Sequence, residues 1–134
     1  TVRRHARPQR QARLRAVGFV TYPLPLADHD DSEMRAWIKR RESTERAAHI
    51  LAAWDALRLR VPSLPLPVLS ARTQEGAAQF SWIRNDIVVE IEVYDNGSFD
   101  WFTRNRVTDK YDGSEDPVAS LPEACFEALV AMAS

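Results

Sequence analysis

Between residues 78 and 105, apolar and polar side chains alternate strictly enough to predict three antiparallel strands joined by two hairpins. In the central strand, every second residue from Ile87 to Val93 is apolar and β-branched, whereas Val88, Glu90, Glu92 and Tyr94 point to the other side. The apolar side is the predicted core face of the sheet. We call the opposite side, which carries the two glutamates, the outer face.

The first hairpin is predicted to turn at Asn85-Asp86, because both residue types tolerate the positive φ that a two-residue turn requires. Counting back from this turn places Trp82 and Phe80 on the core face, opposite Val89 and Ile91. The predicted register therefore keeps the aromatic side chains of the first strand in the core.

The second hairpin contains Asp95-Asn96-Gly97, which allows two registers. A two-residue Asn-Gly turn would place Asp100 on the core face, opposite Val93. A three-residue loop, with Gly97 in a left-handed bulge, sets Phe99 against Val93 instead. We favour the three-residue loop because it keeps the aspartate out of the core.

This register creates a cluster of carboxylates on the outer face. Glu92 lies directly opposite Asp100, with Glu90 two residues along and opposite Phe102. Like charges across a strand pair repel, so the pKa of one carboxylate could rise and the three acids could serve as catalytic residues in acid/base chemistry. A cation, or Arg104 or Arg106, could equally relieve the repulsion.

Several features favour a non-catalytic role for the outer face. The sequence around Glu90, Glu92 and Asp100 offers no nucleophile, Gly-rich loop or set of metal ligands, so no cofactor and no metal are expected. A solvated or partner-binding face is the favoured interpretation. Tyr94 and Phe102 would add aromatic area to such a patch, beside Arg104.

A helical pattern runs from Glu33 to about Arg58, and its apolar stripe changes phase along the way. Met34, Trp37 and Ile38 share one side, whereas the apolar residues between 47 and 57 lie on nearly the opposite side. Either the helix breaks near Ser43 or Thr44, each of which could cap a second helix, or a continuous helix offers Trp37 and Ile38 to a partner. The continuous helix predicts an oligomer.

Two polar clusters are assigned to helix starts. The run Asp28-His29-Asp30-Asp31 contains potential metal ligands, but acids at this position cap free N–H groups, and we favour that role. Ser120 and Glu123 have the spacing of a capping box, with Pro122 between them. That box predicts a C-terminal helix to about Met132, whose apolar stripe of Leu121, Cys125, Leu129 and Met132 would cover the core face of the sheet.

These elements predict an α+β fold in which an antiparallel meander of three to four strands packs against a long N-terminal helix, continuous or broken, and a C-terminal helix. Residues 68–72 are expected to add a short edge strand. Residues 1–27 are assigned to a basic arm followed by a Pro-containing extended segment, and residues 28–134 to a single domain.

Composition predicts a protein of the cytoplasm. The one cysteine, Cys125, has no partner for an internal disulfide and lies in an apolar helical pattern, which suits a reducing compartment. No stretch is long and apolar enough for a membrane span, so no membrane association is expected.

Charge is distributed unevenly along the chain. The first 16 residues contain six arginines and no acid, while the remainder carries 12 basic and 19 acidic residues, a net charge of −7. Such an arm could bind the phosphates of nucleic acid or an acidic surface of its own or a neighbouring subunit. Arginine outnumbers lysine 16 to 2 throughout, so coding bias alone could also explain the arm, and the arm could also be the remnant of a targeting segment. The arginines are Arg3, Arg4, Arg7, Arg10, Arg13 and Arg15.

The segment Gly97-Ser98-Phe99-Asp100-Trp101-Phe102, followed by the acidic turn Asp112-Gly113-Ser114-Glu115-Asp116, resembles small uncharacterised bacterial α+β proteins. Those proteins combine a Pro-rich lead-in, a Glu-rich strand and an acidic turn. The resemblance covers residues 61–118. It implies an α+β fold and a bacterial origin, and no function or active residues.

Three classes of function follow. The favoured one is a non-enzymatic interaction or regulatory protein that binds a macromolecular partner, with a homodimer formed through its helical face. The second is a nucleic-acid-binding regulator, antitoxin-like or from a mobile element, that uses the Arg-rich arm. The third is an enzyme that uses the carboxylates of the outer face.

Overall fold

The computed structural model describes residues 19–21, 30–72 and 78–134. They form an α+β fold, as predicted, with a six-stranded antiparallel sheet in which strands follow their sequence order. The strands are β1 (Phe19–Thr21), β2 (Val68–Arg72), β3 (Ala78–Arg84), β4 (Ile87–Val93), β5 (Phe99–Asn105) and β6 (Lys110–Gly113). The helices are α1 (Ser32–Arg41), α2 (Thr44–Arg60) and α3 (Glu123–Ala133).

Both predicted hairpin registers are confirmed. The β3–β4 turn has Asn85 and Asp86 at φ of 55° and 61°, and Trp82 pairs with Val89. In the second hairpin, the Tyr94 amide donates to the Ser98 carbonyl and the Gly97 amide donates to the Tyr94 carbonyl. With Gly97 at φ 83°, this is the three-residue loop with a glycine bulge.

The sheet is wider than the predicted three to four strands. Residues 68–72 do form a strand, but β2 is not at the edge, because β1 pairs with it and occupies that position. At the other side, β6 pairs with β5 from Phe102–Gly113 to Asn105–Lys110. Neither β1 nor β6 is longer than four residues, and so neither shows the alternation that reveals the central strands.

The N-terminal helical pattern breaks at Glu42, which has an extended backbone. Ser43 then caps α2, since its side chain accepts a hydrogen bond from the Arg46 amide. The break reorients the chain, so that both apolar stripes enter one core. Met34 and Ile38 of α1 are fully buried together with Trp54 and Leu57 of α2.

The core lies on one face of the sheet, beneath α2 and α3. Trp54 reaches the sheet with its ring centroid 6.0 Å from that of Phe80, and Cys125 and Leu129 of α3 are fully buried in the same cluster. Cys125, Leu129 and Met132 of the predicted stripe are buried, whereas Leu121 precedes the helix. Its predicted capping box is wrong, because the helix begins only at Glu123 and Pro122 in extended conformation precedes it.

Asp31 joins α1 to α2. Its carboxylate accepts hydrogen bonds from Trp54 Nε1 at 2.8 Å and Arg35 Nε at 2.9 Å, and Arg58 lies 3.6 Å away. Burial alone would raise the pKa of Asp31, but the hydrogen bonds from Trp54 and Arg35 and the charges of the two arginines outweigh it and lower the pKa. Asp31 thus acts mainly between helices, whereas Asp30 accepts from the Ser32 amide at the helix start.

The buried thiol of Cys125 supports a test of the core. Burial, with a contribution from Asp112, raises the pKa of Cys125 to about 12. An ordinary thiol has a pKa of about 8.5, so the folded state keeps its full stability below that pH and loses stability as the pH rises toward about 12. We expect urea denaturation to show this loss, and native Cys125 to resist alkylation at neutral pH.

The control is Cys125→Ala, which has no thiol to ionise. Its free energy of unfolding should therefore fall less at alkaline pH, and the decrease that remains comes from the other groups that titrate there, such as tyrosine and lysine. Equal alkaline losses in the two proteins, or rapid alkylation of the folded chain, would contradict a buried neutral thiol.

Candidate functional site

The outer face carries the three carboxylates that the register brings together. Glu92 pairs directly with Asp100, and Glu90 pairs with Phe102. Asp100 is 0%, Glu92 2% and Glu90 8% exposed. The predicted solvated face is therefore wrong at these positions, since all three acids are withdrawn from water. We call Glu90, Glu92 and Asp100 the acidic row.

Hydrogen bonds fix the two ends of the acidic row. Gln79 Nε2 donates to Glu90 Oε2 at 2.6 Å, and Ser114 Oγ donates to Asp100 Oδ1 at 2.6 Å. The serine is itself held against β5, because its amide donates to the Trp101 carbonyl and its hydroxyl accepts from the Trp101 amide. Asp100 is thus held by a segment that follows β6.

Tyr94 stands between the two facing carboxylates. Its hydroxyl lies 3.5 Å from both Glu92 Oε2 and Asp100 Oδ2. Both distances are long for a hydrogen bond between oxygens, so the tyrosine bridges the pair loosely. Gln79, Tyr94 and Ser114, all neutral groups, are among the donors to the acidic row.

Chemically, two facing carboxylates with a phenol between them could share and move a proton. Catalytic roles for Glu90, Glu92 and Asp100 stay a prediction. Within residues 30–72 and 78–134, no group of three or more His, Cys, Asp or Glu side chains is arranged to hold a metal ion.

Arg104 does not relieve the repulsion within the acidic row. Its guanidinium lies 3.0 Å from Asp109 Oδ1 and 5.2 Å from the centroid of the Tyr111 ring. Arg106 is exposed in the β5–β6 turn. Phe102 is only 4% exposed, and its ring centroid lies 5.9 Å from that of Tyr111. This end of the outer face is therefore aromatic and cationic.

The helical surface that was predicted to bind a partner, at Trp37 and Ile38, is not exposed. Ile38 is fully buried in the core, and Trp37 is partly buried, with Arg41 5.4 Å from its ring centroid. The prediction of an exposed apolar surface at these two residues assumed a continuous helix. Because the helix breaks at Glu42, Ile38 points into the protein instead.

A second apolar stripe on α3 was missed by sequence reasoning. The residues of this stripe, Phe126 and Val130 among them, line an open groove of about 290 Å³ together with the end of α2. We call it the α3 groove. The four-residue spacing from Phe126 to Val130 was the signal that could have revealed it. The lining residues are Arg60, Val61, Glu123, Phe126, Glu127, Val130 and Ala131.

Arg60 closes one end of the α3 groove. Its guanidinium lies 4.1 Å from the centroid of the Phe126 ring and makes hydrogen bonds of 2.9 and 2.8 Å to the two carboxylate oxygens of Glu123. Val130, farther along the groove, is 51% exposed. The groove therefore combines exposed apolar area with a charged rim formed by the Arg60–Glu123 pair and Glu127.

The predicted nucleic-acid-binding arginines, from Arg3 to Arg15, lie outside the described residues. None of the described helices combines the length and apolar composition that crossing a membrane requires. Comparison with protein-family models, curated proteins and solved structures finds no match to this chain.

Proposed function

We propose that this chain is a non-enzymatic interaction protein and that it binds a protein partner in the α3 groove. The observation that supports this is the second apolar stripe of α3. A helix that presents apolar residues on two sides is ordinarily covered on both. One side of α3 packs on the sheet through Cys125, Leu129 and Met132, while Val130 on the other side remains half exposed.

The groove favours a helical partner with a basic border. Phe126, Val130 and Ala131 offer apolar contacts. Arg60 pairs with Glu123, so Glu127 supplies the remaining negative charge of the lining. No lysine or arginine occurs in α3. An amphipathic helix that inserts apolar side chains at three-and-four spacing and carries Lys or Arg beside them would complement this surface.

The test is an affinity capture from the source cell with three full-length baits. Val130→Asp places a charge inside the groove, and Leu59→Asp makes the same kind of change at an apolar residue of α2 that is 83% exposed and does not line the groove. We expect the wild type and Leu59→Asp to retain one and the same protein, and Val130→Asp to lose at least about 90% of it, a loss of more than 1.4 kcal/mol. Equal retention by all three baits, or no retained protein, would refute the proposal.

Two further measurements separate this proposal from its rivals. Glu92→Gln should leave capture unchanged, since the acidic row is not part of the groove. Light scattering on the purified chain tests the homodimer, because a dimer formed through the groove dissociates in Val130→Asp and not in Leu59→Asp. A cytoplasmic location, in which Cys125 stays reduced, fits this proposal.

A nucleic-acid-binding regulator remains the second candidate because of the charge in residues 1–16. It predicts that binding of a DNA or RNA duplex weakens steeply with salt and is lost when residues 1–16 are deleted. Binding that survives the deletion would refute this candidate.

A further inference from the structure

We infer that two copies of this chain pair along β6, with the two strands antiparallel about Tyr111, so that their six-stranded sheets join into one. β6 is the last strand of the sheet. One side of it pairs with β5, and no described residue pairs with the other side. An open strand edge of this kind is a template for a further strand. This surface is separate from the α3 groove.

The first step is to establish which backbone groups of β6 point away from β5. Opposite residues of an antiparallel pair alternate between those that exchange hydrogen bonds and those that do not. Ser114 donates its amide to the Trp101 carbonyl, and the alternation from there directs the backbone groups of Asp112 at β5. Tyr111 and Gly113 therefore point their backbone groups outward. In agreement, the Gly113 amide donates to the side chain of Asp112 and not to β5.

The second step is the register. Two registers let Tyr111 exchange hydrogen bonds with an outward-pointing residue of β6 in a second copy. With Tyr111 opposite Tyr111, Lys110 of each copy lies opposite Asp112 of the other. With Tyr111 opposite Gly113, the two Asp112 side chains face each other instead. Opposite charges across a strand pair attract and like charges repel, so the register about Tyr111 is selected.

The third step is that these charges are available. Lys110 and Asp112 are exposed, and within the described part of the chain neither has an ion-pair partner. A lysine on an edge strand ordinarily discourages pairing, but in this register each lysine meets a carboxylate. Arg104, beside Tyr111, adds no uncompensated charge, because its guanidinium lies 3.0 Å from Asp109 Oδ1.

The segments on either side of β6 are complementary as well. The turn before β6 carries Arg106, which is exposed, and Val107, which is 76% exposed. The segment after β6 carries the exposed acids Glu115 and Asp116. Because the two strands run antiparallel, the turn of one copy lies beside the acidic segment of the other. The pairing therefore brings opposite charges together at both ends of β6.

The experiment is analytical ultracentrifugation of the purified full-length chain over a range of protein concentrations at low salt. The wild type should associate to a dimer. In Lys110→Glu the two attractive pairs become two repulsive ones, so the dissociation constant should rise at least about tenfold, equivalent to about 1.4 kcal/mol. Asp112→Lys should weaken the dimer to a similar extent.

An equal mixture of Lys110→Glu and Asp112→Lys is the decisive sample. A dimer with one copy of each again has opposite charges across both pairs, so the mixture should dimerise about as strongly as the wild type. Lys39→Glu is the matched control, since Lys39 is an exposed residue of α1 and its replacement makes the same change in net charge as Lys110→Glu. This control should dimerise like the wild type.

Hydrogen exchange tests the strand pairing itself. The Tyr111 amide points away from β5 and has no acceptor among the described residues. In the proposed dimer it donates to the Tyr111 carbonyl of the second copy. Its exchange should therefore slow as the protein concentration rises, in the wild type and in the mixture.

Three results would overturn the inference: a wild type that stays monomeric, a Lys110→Glu chain that dimerises as strongly as Lys39→Glu, or a dimer in which the Tyr111 amide is not protected. A mixture of two folded variants that does not associate would also overturn it. Circular dichroism establishes folding, and if Asp112→Lys does not fold, Lys110→Glu against Lys39→Glu decides. Val130→Asp should keep this dimer, so a failure here is distinguishable from a failure of the proposed function.

Discussion

Replacement of Trp54 with alanine should lower the free energy of unfolding by about 3–5 kcal/mol. Trp54 is fully buried, lies against Phe80 and donates its indole N–H to Asp31. Alanine would leave a cavity between α2 and the sheet and remove one hydrogen bond from a carboxylate that α1 depends on. For a domain whose total stability lies in the usual range of about 5–15 kcal/mol, this loss is large.

Urea denaturation measures the effect, provided that the dependence of the free energy of unfolding on urea concentration is the same in the variant and the wild type. Trp54→Phe is the control, since it keeps an aromatic ring but loses the donor, and Arg35 and Arg58 still face Asp31. We expect this variant to lose about 1–2 kcal/mol. A loss below about 1 kcal/mol in Trp54→Ala would contradict the central position of this side chain.

The same pair of variants has a pH signature. The lowered pKa of Asp31 means that its contribution to stability is present above the ordinary carboxyl pKa of about 4 and disappears as the pH falls through the folded value. In Trp54→Phe one of the hydrogen bonds that lower this pKa is gone. Acid unfolding of that variant should therefore begin at a higher pH than in the wild type.

The second large effect is expected for Gly113→Ala. A Cβ at this position would lie 2.6 Å from the Trp101 carbonyl oxygen and 3.4 Å from Phe102 Cα, both of them backbone atoms of the neighbouring strand. Because backbone cannot yield as a flexible side chain does, β5 and β6 would have to separate. We expect a loss of about 3 kcal/mol, at the upper end for overpacking.

Thermal and urea unfolding of Gly113→Ala can be compared with Lys110→Ala, which alters an exposed residue of the same strand and should change stability by less than about 0.5 kcal/mol. Gly97→Ala provides a second comparison with a different cause, because Gly97 has φ 83° and its added Cβ would lie 3.3 Å from His49 Nδ1. A Gly113→Ala chain as stable as Lys110→Ala would mean that β6 is not held against β5 as described.

The sequence predicted the register of β3, β4 and β5 because two local signals agree there. Alternation assigns each side chain to a face, and Asn85-Asp86 and Gly97 fix the turns that align the strands. β6 escaped prediction because Lys110–Gly113 is short and polar, and it is placed instead by its pairing with β5.

The candidate sites were predicted less completely than the sheet. The register alone predicts that Glu92 faces Asp100. Their burial also depends on residues far away in the sequence, and the alternation within a strand carries no information about those residues. Whether Ile38 is buried or exposed depends on whether the helix breaks at Glu42, and the apolar pattern of the sequence is compatible with both. The groove was missed because only the stripe of α3 that faces the sheet was predicted, and Phe126 and Val130 were assigned to no surface.

The sequential strand order has a consequence for how the molecule folds. Among the described strands, each pairs with its neighbours in sequence, so β3, β4 and β5 can assemble by closing two short loops, at little cost in chain entropy. α2 and α3 are far apart in sequence, and both pack on that assembled surface. Asn85, at the tip of the first hairpin, donates to the carbonyls of Met132 and Ser134, so the end of the last helix docks on what we expect to be the earliest element to form.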